Sequence, residues 1–385
     1  MRITFVISSL GGGGAERVVS NMARYWADKN WEITILTLFQ GRRPVCYDLH
    51  PNVVHRDLRS TLSSNPRPDA KSLIALRDLF DILSPSERKT FLGNLVLIVA
   101  LRHAIVSTNP QAVISFIDVT NVQVLLALYR LDLPVFISER CHPVSTGNEG
   151  WDRLRQRLYR SAARLVVLAE ESLSVFSPEV RERGRVIPNA VLPPRYDSSD
   201  EIGMDQRAER ILLAMGRLAY EKGFDLLLHA FAAIAPKHTL WSLNIWGQGR
   251  LRSTLVALAD ELGLSKRVRF PGFTRQPYDV MRQSDLFVLP SRLEGFPNVL
   301  LEAMACGLPV VSFDCPTGPS YIIRDGTDGV LLPPRDVTAL KENLDRLMGD
   351  EAERNRLAGR APEVIERFSL ERMMGMWEQV VLGVF

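Results

Sequence analysis

Short apolar runs without alternation recur along the chain, each followed by a polar or glycine-bearing loop and a stretch at helical spacing. Residues 3–9 form the first such run, as expected of a parallel strand buried on both faces. Gly11 to Gly14 follow at once, and Val18, Val19, Met22, Ala23 and Trp26 then recur with the period of a helix over 15–27. The same pattern predicts strands over 31–39, 112–116, 134–138, 164–168 and 185–188, with helices over 90–107 and 121–129. Residues 56–90 read as a polar stretch broken by Pro66, Pro68 and Pro85. Residues 191–208, with two prolines and no apolar period, read as a linker. Beyond them the alternation restarts, with strands over 211–215, 241–246, 268–271, 286–289, 310–313 and 329–332. Helices over 224–235, 249–262 and 340–347 lie among them, and a last helix spans 370–382.

Strand and helix in strict alternation imply a parallel sheet covered on both faces. The expected architecture is α/β, with two doubly wound Rossmann-like domains over 1–192 and 193–369. The segment 370–385 is expected to return to the first. At 385 residues the chain is long enough for two cores.

One stretch gathers candidate chemistry. Residues 291–309, SRLEGFPNVLLEAMACGLP, combine a loop broken by Gly295 and Pro297 with a helix over 298–306. Gly307 stands at the left-handed stop position. The N–H groups of Asn298, Val299 and Leu300 are expected to lack intrahelical partners and to present the positive end of the helix dipole. Glu294 precedes the helix and Glu302 lies one turn inside it. An anion seat flanked by carboxylates suits a phosphorylated, hydroxyl-rich ligand such as a nucleotide sugar. The alternative is an ordinary loop–helix junction with two solvated glutamates.

Arg217 and Lys222 follow the first strand of the second domain, where a fork and a point charge can neutralise a diphosphate. No Asp-x-Asp pair exists in the chain, which disfavours the Mg²⁺-dependent type of sugar transferase. Asn298 is a good N-cap, and Thr317 with Gly318 repeats the loop logic after a later strand. Gly11 to Gly14 place a glycine loop between a strand and a helix start, the phosphate-cradling unit of doubly wound folds. The segment 138–143, SERCHP, lies at a strand's carboxyl end and contains His142. Over 151–165 a helix is expected whose Arg153, Arg157, Arg160 and Arg164 fall within roughly 60° of one another. That face fits a membrane surface or an acceptor diphosphate; equally it fits a solvated surface.

Composition narrows the classes. With 46% hydrophobic and 24% charged residues the chain has the balance of a globular protein. The run over 3–10 enters a glycine loop with no cleavage site, so no leader is expected. The longest apolar run, 92–101, is about half a bilayer span. Cys46, Cys141, Cys306 and Cys315 lack metal-ligand spacing and suit a reducing, cytosolic setting. Residues 1–190 hold 24 Lys and Arg against 18 Asp and Glu, the remainder 23 against 26, so the first half leans toward anionic partners. No basic stripe with interleaved aromatics points to nucleic acid.

Taken together, GGGGAER (11–17), SER (138–140), GRLAYEKGFD (216–225), EGFPNVLLEAMACGLPVV (294–311) and CPTGPSYIIRDGTDGVLLPP (315–334) resemble glycosyltransferase family 4. The resemblance covers essentially the whole chain. It implies a GT-B fold, two Rossmann-like domains facing across a cleft, the first binding acceptor and the second nucleotide sugar. It also implies a retaining, metal-independent hexosyltransferase with no cofactor. Segment 114–121 with SER and CPTGPS is most like bacterial enzymes that extend glycans on polyprenyl diphosphate. By position, Glu302 would hold the ribose hydroxyls and Glu294 would contact the donor sugar near its reacting carbon. Arg217 and Lys222 would stabilise the leaving diphosphate, with Gly13 and Gly14 reaching it from the first domain. Phe296, Gly318 and the amides near Asn298 and Val299 would complete the donor seat. Glu139, Arg140, His142, Arg153 and Arg157 are the acceptor-side candidates. Many relatives carry His where Arg140 stands and Glu where Tyr321 stands, departures that touch the sugar and the acceptor.

The expected activity is transfer of a hexose or N-acetylhexosamine from a UDP-sugar to a lipid-linked oligosaccharide in cell-surface polysaccharide or glycoprotein glycan assembly. The expected location is cytoplasmic, peripheral on the inner face of the plasma membrane. The alternatives are a GDP-sugar (mannosyl) transferase of the same fold and a noncatalytic nucleotide-sugar-binding partner of an assembly complex. The nearest rival in chemistry is an epimerase or phosphorylase on the same fold, which would need a different acceptor; the complete Glu-x7-Glu block, 294 to 302, argues against the epimerase.

Overall fold

The computed structural model describes residues 1–41, 44–59, 70–140, 148–194 and 209–385. The chain divides into two compact units, Met1–Pro188 with Glu371–Phe385, and Asn189–Leu370.

In the first unit a seven-stranded sheet runs in the order β3-β2-β1-β4-β5-β6-β7. Its strands are β1 Arg2–Ile7, β2 Glu32–Thr37, β3 Val54–Asp57, β4 Ala112–Phe116, β5 Val135–Ser138, β6 Arg164–Val167 and β7 Gly184–Val186. All the pairings are parallel, for example Phe5 opposite Ile35 on one side and Ile114 on the other. β1 therefore has neighbours on both edges, and Phe5, Val6 and Ile7 are fully buried. Trp26, on helix Gly14–Asp28, stacks on Phe5 with centroids 5.8 Å apart. Helix Leu370–Leu382 supplies Trp377, whose buried ring lies 6.5 Å from that of Phe116. Its Glu378 accepts hydrogen bonds from Trp26 Nε1 at 3.2 Å and Lys29 Nζ at 2.7 Å. The last helix thus packs onto the first unit.

Two stretches differ from the sequence expectation. The polar region 56–90 contains the end of β3, helix Ala70–Ile82 and the first turn of helix Pro85–Ser107. Pro85 starts that last helix rather than breaking one, because proline's fixed φ and missing N–H suit the first helical position. The Glu87 carboxylate takes the Ser84 N–H at 2.7 Å. Among the described residues this 23-residue helix alone is long and apolar enough, by length and composition, to cross a bilayer. Its Phe91, Ile98, Leu101 and Ile105 are nevertheless buried in the core of the unit, while Leu92, Val96 and Val106 are exposed. The helix expected over 151–165 spans only Glu149–Leu158, followed by a single 3-10 turn. Arg164 opens β6 instead, so it leaves the arginine face.

In the second unit six parallel strands run in the order β10-β9-β8-β11-β12-β13. They are β8 Arg210–Met215, β9 Trp241–Trp246, β10 Val268–Gly272, β11 Leu286–Leu289, β12 Val310–Phe313 and β13 Val330–Leu332. Leu212, Ala214, Leu243 and Ile245 form one face of its core with Phe231 and Leu344 from helices Phe224–Ile234 and Val337–Gly349. Of the expected linker, residues 195–208 lie outside the described residues. Val191, just before them, donates its N–H to Phe368 O at 2.9 Å.

Candidate active site

Strand order in the second unit reverses between β8 and β11, and the carboxyl ends of the strands at such a reversal are where open α/β sheets bind ligands. The loop after β8 ends at Gly223, which has φ +65 and caps helix Phe224–Ile234. A Cβ on Gly223 would lie 1.9 Å from Pro290 O at the end of β11, so only glycine lets the two loops touch.

That contact brings charges from two loops together. Lys222 Nζ lies 2.6 Å from Glu294 Oε1, with side chains only 19% and 7% exposed. Ser291 Oγ donates to the same oxygen at 2.7 Å. A third loop, after β12, joins them: Thr317 Oγ1 donates to the Glu294 carbonyl at 2.5 Å. Gly318, at φ +113, packs so closely that a Cβ would come 2.6 Å from Pro297 Cδ. A half-buried ammonium–carboxylate pair is stable only with such additional hydrogen bonds.

Helix Asn298–Ala305 begins directly beyond Glu294. Pro297, not Asn298, is its N-cap, so Asn298 is the first helical residue. Its side chain works across the unit instead, Oδ1 accepting from Asn189 Nδ2 at 2.7 Å. The Leu300 N–H is 3.0 Å from Pro297 O, so it leaves the expected amide seat. Gly307, at φ +75, follows the helix as expected. Glu302 is buried one turn inside, and Phe296 is buried edge-on against Phe368, centroids 5.7 Å apart. Arg217 is held less firmly; its side chain is 71% exposed and pairs with Glu221 at 2.5 Å.

Asn189, Ser291 and the buried Arg292, which grips Asp225 from 67 positions away, escape the sequence reading. Ser291 and Arg292 lie inside the motif stretch; the partner of Ser291 is Glu294, three residues on, whereas that of Arg292 is fixed by tertiary structure.

In the first unit, Gly13 caps helix Gly14–Asp28, and Gly14 is its first residue. The Glu16 carboxylate folds back onto this start: burial raises its pKa, while the N–H groups of Glu16 and Gly13 bond to it and oppose the rise. The glycine loop is thus capped by a carboxylate from its own helix. Tyr47 OH donates to Gly13 O at 3.0 Å.

Glu139 is buried after β5 and accepts from Tyr159 OH. Burial pushes its carboxyl up to about 7, against the pull of Tyr159. Asn121 Nδ2 reaches Tyr159 OH at 3.3 Å and the Ser138 carbonyl at 3.2 Å, and Ser115 Oγ donates to Asn121 Oδ1 at 2.6 Å. Arg140 is buried with its guanidinium 5.1 Å from the Phe116 centroid and 5.8 Å from that of Trp377, and burial pulls its pKa down to about 9. His142 lies outside the described residues.

Arg153, Arg157 and Arg160 do share a face. With Ser84, Glu87 and Gln156 they line an open pocket of about 530 Å³. Each has a carboxylate neighbour: Arg153 with Glu149 at 2.5 Å, Arg157 with Glu87 at 2.8 Å, Arg160 with Glu179 at 3.2 Å. Among the described residues no three His, Cys, Asp or Glu side chains converge as a metal-ligand set.

Comparison with known proteins adds the following. Residues 201–364 match the family model described as glycosyl transferases group 1. An exopolysaccharide phosphotransferase of Streptomyces coelicolor is 30% identical over 99% of this chain, which spans 40% of that protein's length. A Campylobacter jejuni protein named GalNAc-alpha-(1->4)-GalNAc-alpha-(1->3)-diNAcBac-PP-undecaprenol alpha-1,4-N-acetyl-D-galactosaminyltransferase is 26% identical over 100% of this chain and 99% of its own. Among solved structures, Anabaena HepE in complex with UDP superposes with a TM-score of 0.76 at 19% identity, covering 100% of both chains. A Staphylococcus aureus TarM mutant in complex with UDP and other ligands gives 0.76 at 14% identity, covering 98% and 99%.

Proposed function

Because this chain belongs to the group 1 glycosyl transferases and has the GT-B fold of two Rossmann-like domains, we propose that it transfers a hexose or N-acetylhexosamine from a UDP-sugar to a polyprenyl-diphosphate-linked glycan. The observation that carries this reading is the Lys222–Glu294 pair beside the start of helix Asn298–Ala305. Departure of a nucleoside diphosphate builds negative charge, and preorganised cations and amides aimed at that charge lower the barrier. Lys222 and the amides near Asn298 and Val299 are such groups, and the exposed Arg217 would swing from Glu221 to join them. When Lys222 turns to the leaving phosphate, Glu294 is released to face the donor sugar. Glu302 holds the ribose, and Phe296 and Gly318 shape the seat.

In the proposed reaction the acceptor hydroxyl oxygen bonds the anomeric carbon on the face the diphosphate leaves. The carbon–phosphate oxygen bond breaks, and the leaving phosphate takes the hydroxyl proton. Configuration is retained, and neither a metal nor a protein nucleophile takes part. The UDP complex of HepE and the undecaprenol-linked acceptor in the Campylobacter protein's name support the donor and acceptor classes chosen. On the acceptor side we assign Glu139, Arg140 and the Arg153–Arg157 face. These would act in a protein peripheral to the inner face of the plasma membrane.

The experiment is thermal denaturation with UDP, GDP or ADP, with and without EDTA, on wild type and Glu302→Ala. Stabilisation by UDP, untouched by EDTA and lost in the variant, is expected. Stabilisation by GDP instead would transfer the reading to a GDP-sugar. A folded protein indifferent to every nucleotide would overturn it and favour a noncatalytic partner.

A further inference from the structure

Lys222 and Glu294 stand 72 positions apart on separate loops, so something must hold those loops in register. Arg292, only 9% exposed, lies at the join. Its Nη1 donates to Asp225 Oδ1 at 2.7 Å and to the Tyr220 carbonyl at 2.9 Å, and its Nη2 donates to Asp225 Oδ2 at 2.5 Å. The guanidinium also lies over the Tyr220 ring, 4.3 Å from its centroid. The backbone N–H of Arg292 reaches Glu221 O at 2.8 Å, and that of Leu293 reaches it at 3.3 Å.

The other half of the grip is equally fixed. Asp225 sits in the first turn of helix Phe224–Ile234. Burial raises its carboxyl, but Arg292 and the N–H groups of Asp225 and Leu226 outweigh that and hold it below its usual range. Contacts of Arg292 therefore bracket Lys222 in sequence, Tyr220 and Glu221 before it and Asp225 after it. Glu294 follows Arg292 by two residues. A lysine could supply the charge but not the planar fork that takes two carboxylate oxygens and a carbonyl while stacked on a ring.

We propose that Arg292, gripped by Asp225 and Tyr220, is a positioning residue that sets the Lys222–Glu294 pair by pinning the loop after β8 to the loop after β11. The functional consequence rests on the reading of that pair as the donor-phosphate site; the pinning itself does not.

Two measurements separate these. The first needs no ligand: acetylation of Lys222 by an N-hydroxysuccinimide ester, followed by peptide mass spectrometry, with the 68% exposed Lys237 as control. Arg292→Lys and the nearly isosteric Asp225→Asn should each speed acetylation of Lys222 several-fold and leave Lys237 unchanged. The double variant should be no faster than either single one, because both remove one contact. The second is UDP affinity by calorimetry. Arg292→Lys should weaken UDP by about tenfold in the wild-type background and by less than about twofold in Lys222→Ala. Unchanged acetylation in both single variants, with UDP still bound by wild type, would overturn the pinning and spare the donor reading. Faster acetylation in a protein that never binds UDP would support the pinning and remove the donor reading. Additive losses in the Lys222→Ala background would show Arg292 acting by another route and overturn the proposal.

Discussion

The two units place a strand, a loop and a helix start in the same order, yet they secure their charges differently. In the first, the glycine loop is capped by a near neighbour, Glu16 at Gly13, and Arg153 pairs with Glu149 four residues away, while Arg157–Glu87 and Lys29–Glu378 tie elements together across 70 and 349 positions. An exposed local pair such as Arg153–Glu149 contributes little to stability and re-forms easily. At the site in the second, Lys222 meets Glu294 and Arg292 meets Asp225 across 72 and 67 positions, and the neutral amides of Asn189 and Asn298 meet across 109. Removing Glu294 or Asp225 would leave the largely buried Lys222 or Arg292 without its carboxylate, so these two ion pairs are costly to break. A charge held across loops is placed by the fold. One held within a helix turn is placed by its neighbour.

The largest expected effect tests how far the first unit depends on packing. Trp377→Ala removes a fully buried ring and should cost about 3–5 kcal/mol. Hydrogen exchange should rise in β4 and stay unchanged in β8; equal rises in both would contradict the assignment of helix Leu370–Leu382 to the first unit.

Next comes a deeply buried carboxyl of the first unit. Burial lifts Glu139 from 4.5 to about 7, so folding binds its proton more tightly than the unfolded chain does. The stability it contributes is complete below the unfolded value and is lost as pH rises through the folded one. Glu139→Gln keeps an acceptor for Tyr159 and removes this titration. The melting temperature of wild type should therefore fall relative to the variant between about pH 5 and pH 8. A difference that does not vary with pH would place Glu139 in contact with solvent.

The smallest effect sharpens the contrast itself. Glu16→Ala takes one cap from a helix and should cost about 1 kcal/mol, read by chemical denaturation. A loss of several kcal/mol would make the glycine loop as interdependent as the loops of the second unit.

How much of this was legible in the sequence follows the same division. The strands at 112–116, 286–289 and 310–313 emerge with their observed bounds because burial on both faces keeps their runs nearly unbroken, and the helix at 370–382 emerges through the helical period of its buried Met373, Met374, Trp377 and Val381. β3, by contrast, alternates exposed and half-buried residues at the sheet edge, so it carries no such run. The helix over 151–165 is overextended because Arg160 and Arg164 continue a 3.6-residue period after the chain has left the helix at Leu158. Lys222, Glu294 and Glu302 were legible through their spacing and the family resemblance. Arg292 and Asp225 were not, since a side-chain fork between two loops leaves no period in either.

The most direct test compares the affinity of UDP for wild type, Lys222→Ala and Arg153→Glu by calorimetry. If the donor diphosphate is held by charges fixed across the loops of the second unit, Lys222→Ala should weaken UDP by about tenfold or more, and Arg153→Glu by less than about twofold. Equal losses in both variants, or none in Lys222→Ala, would contradict the account.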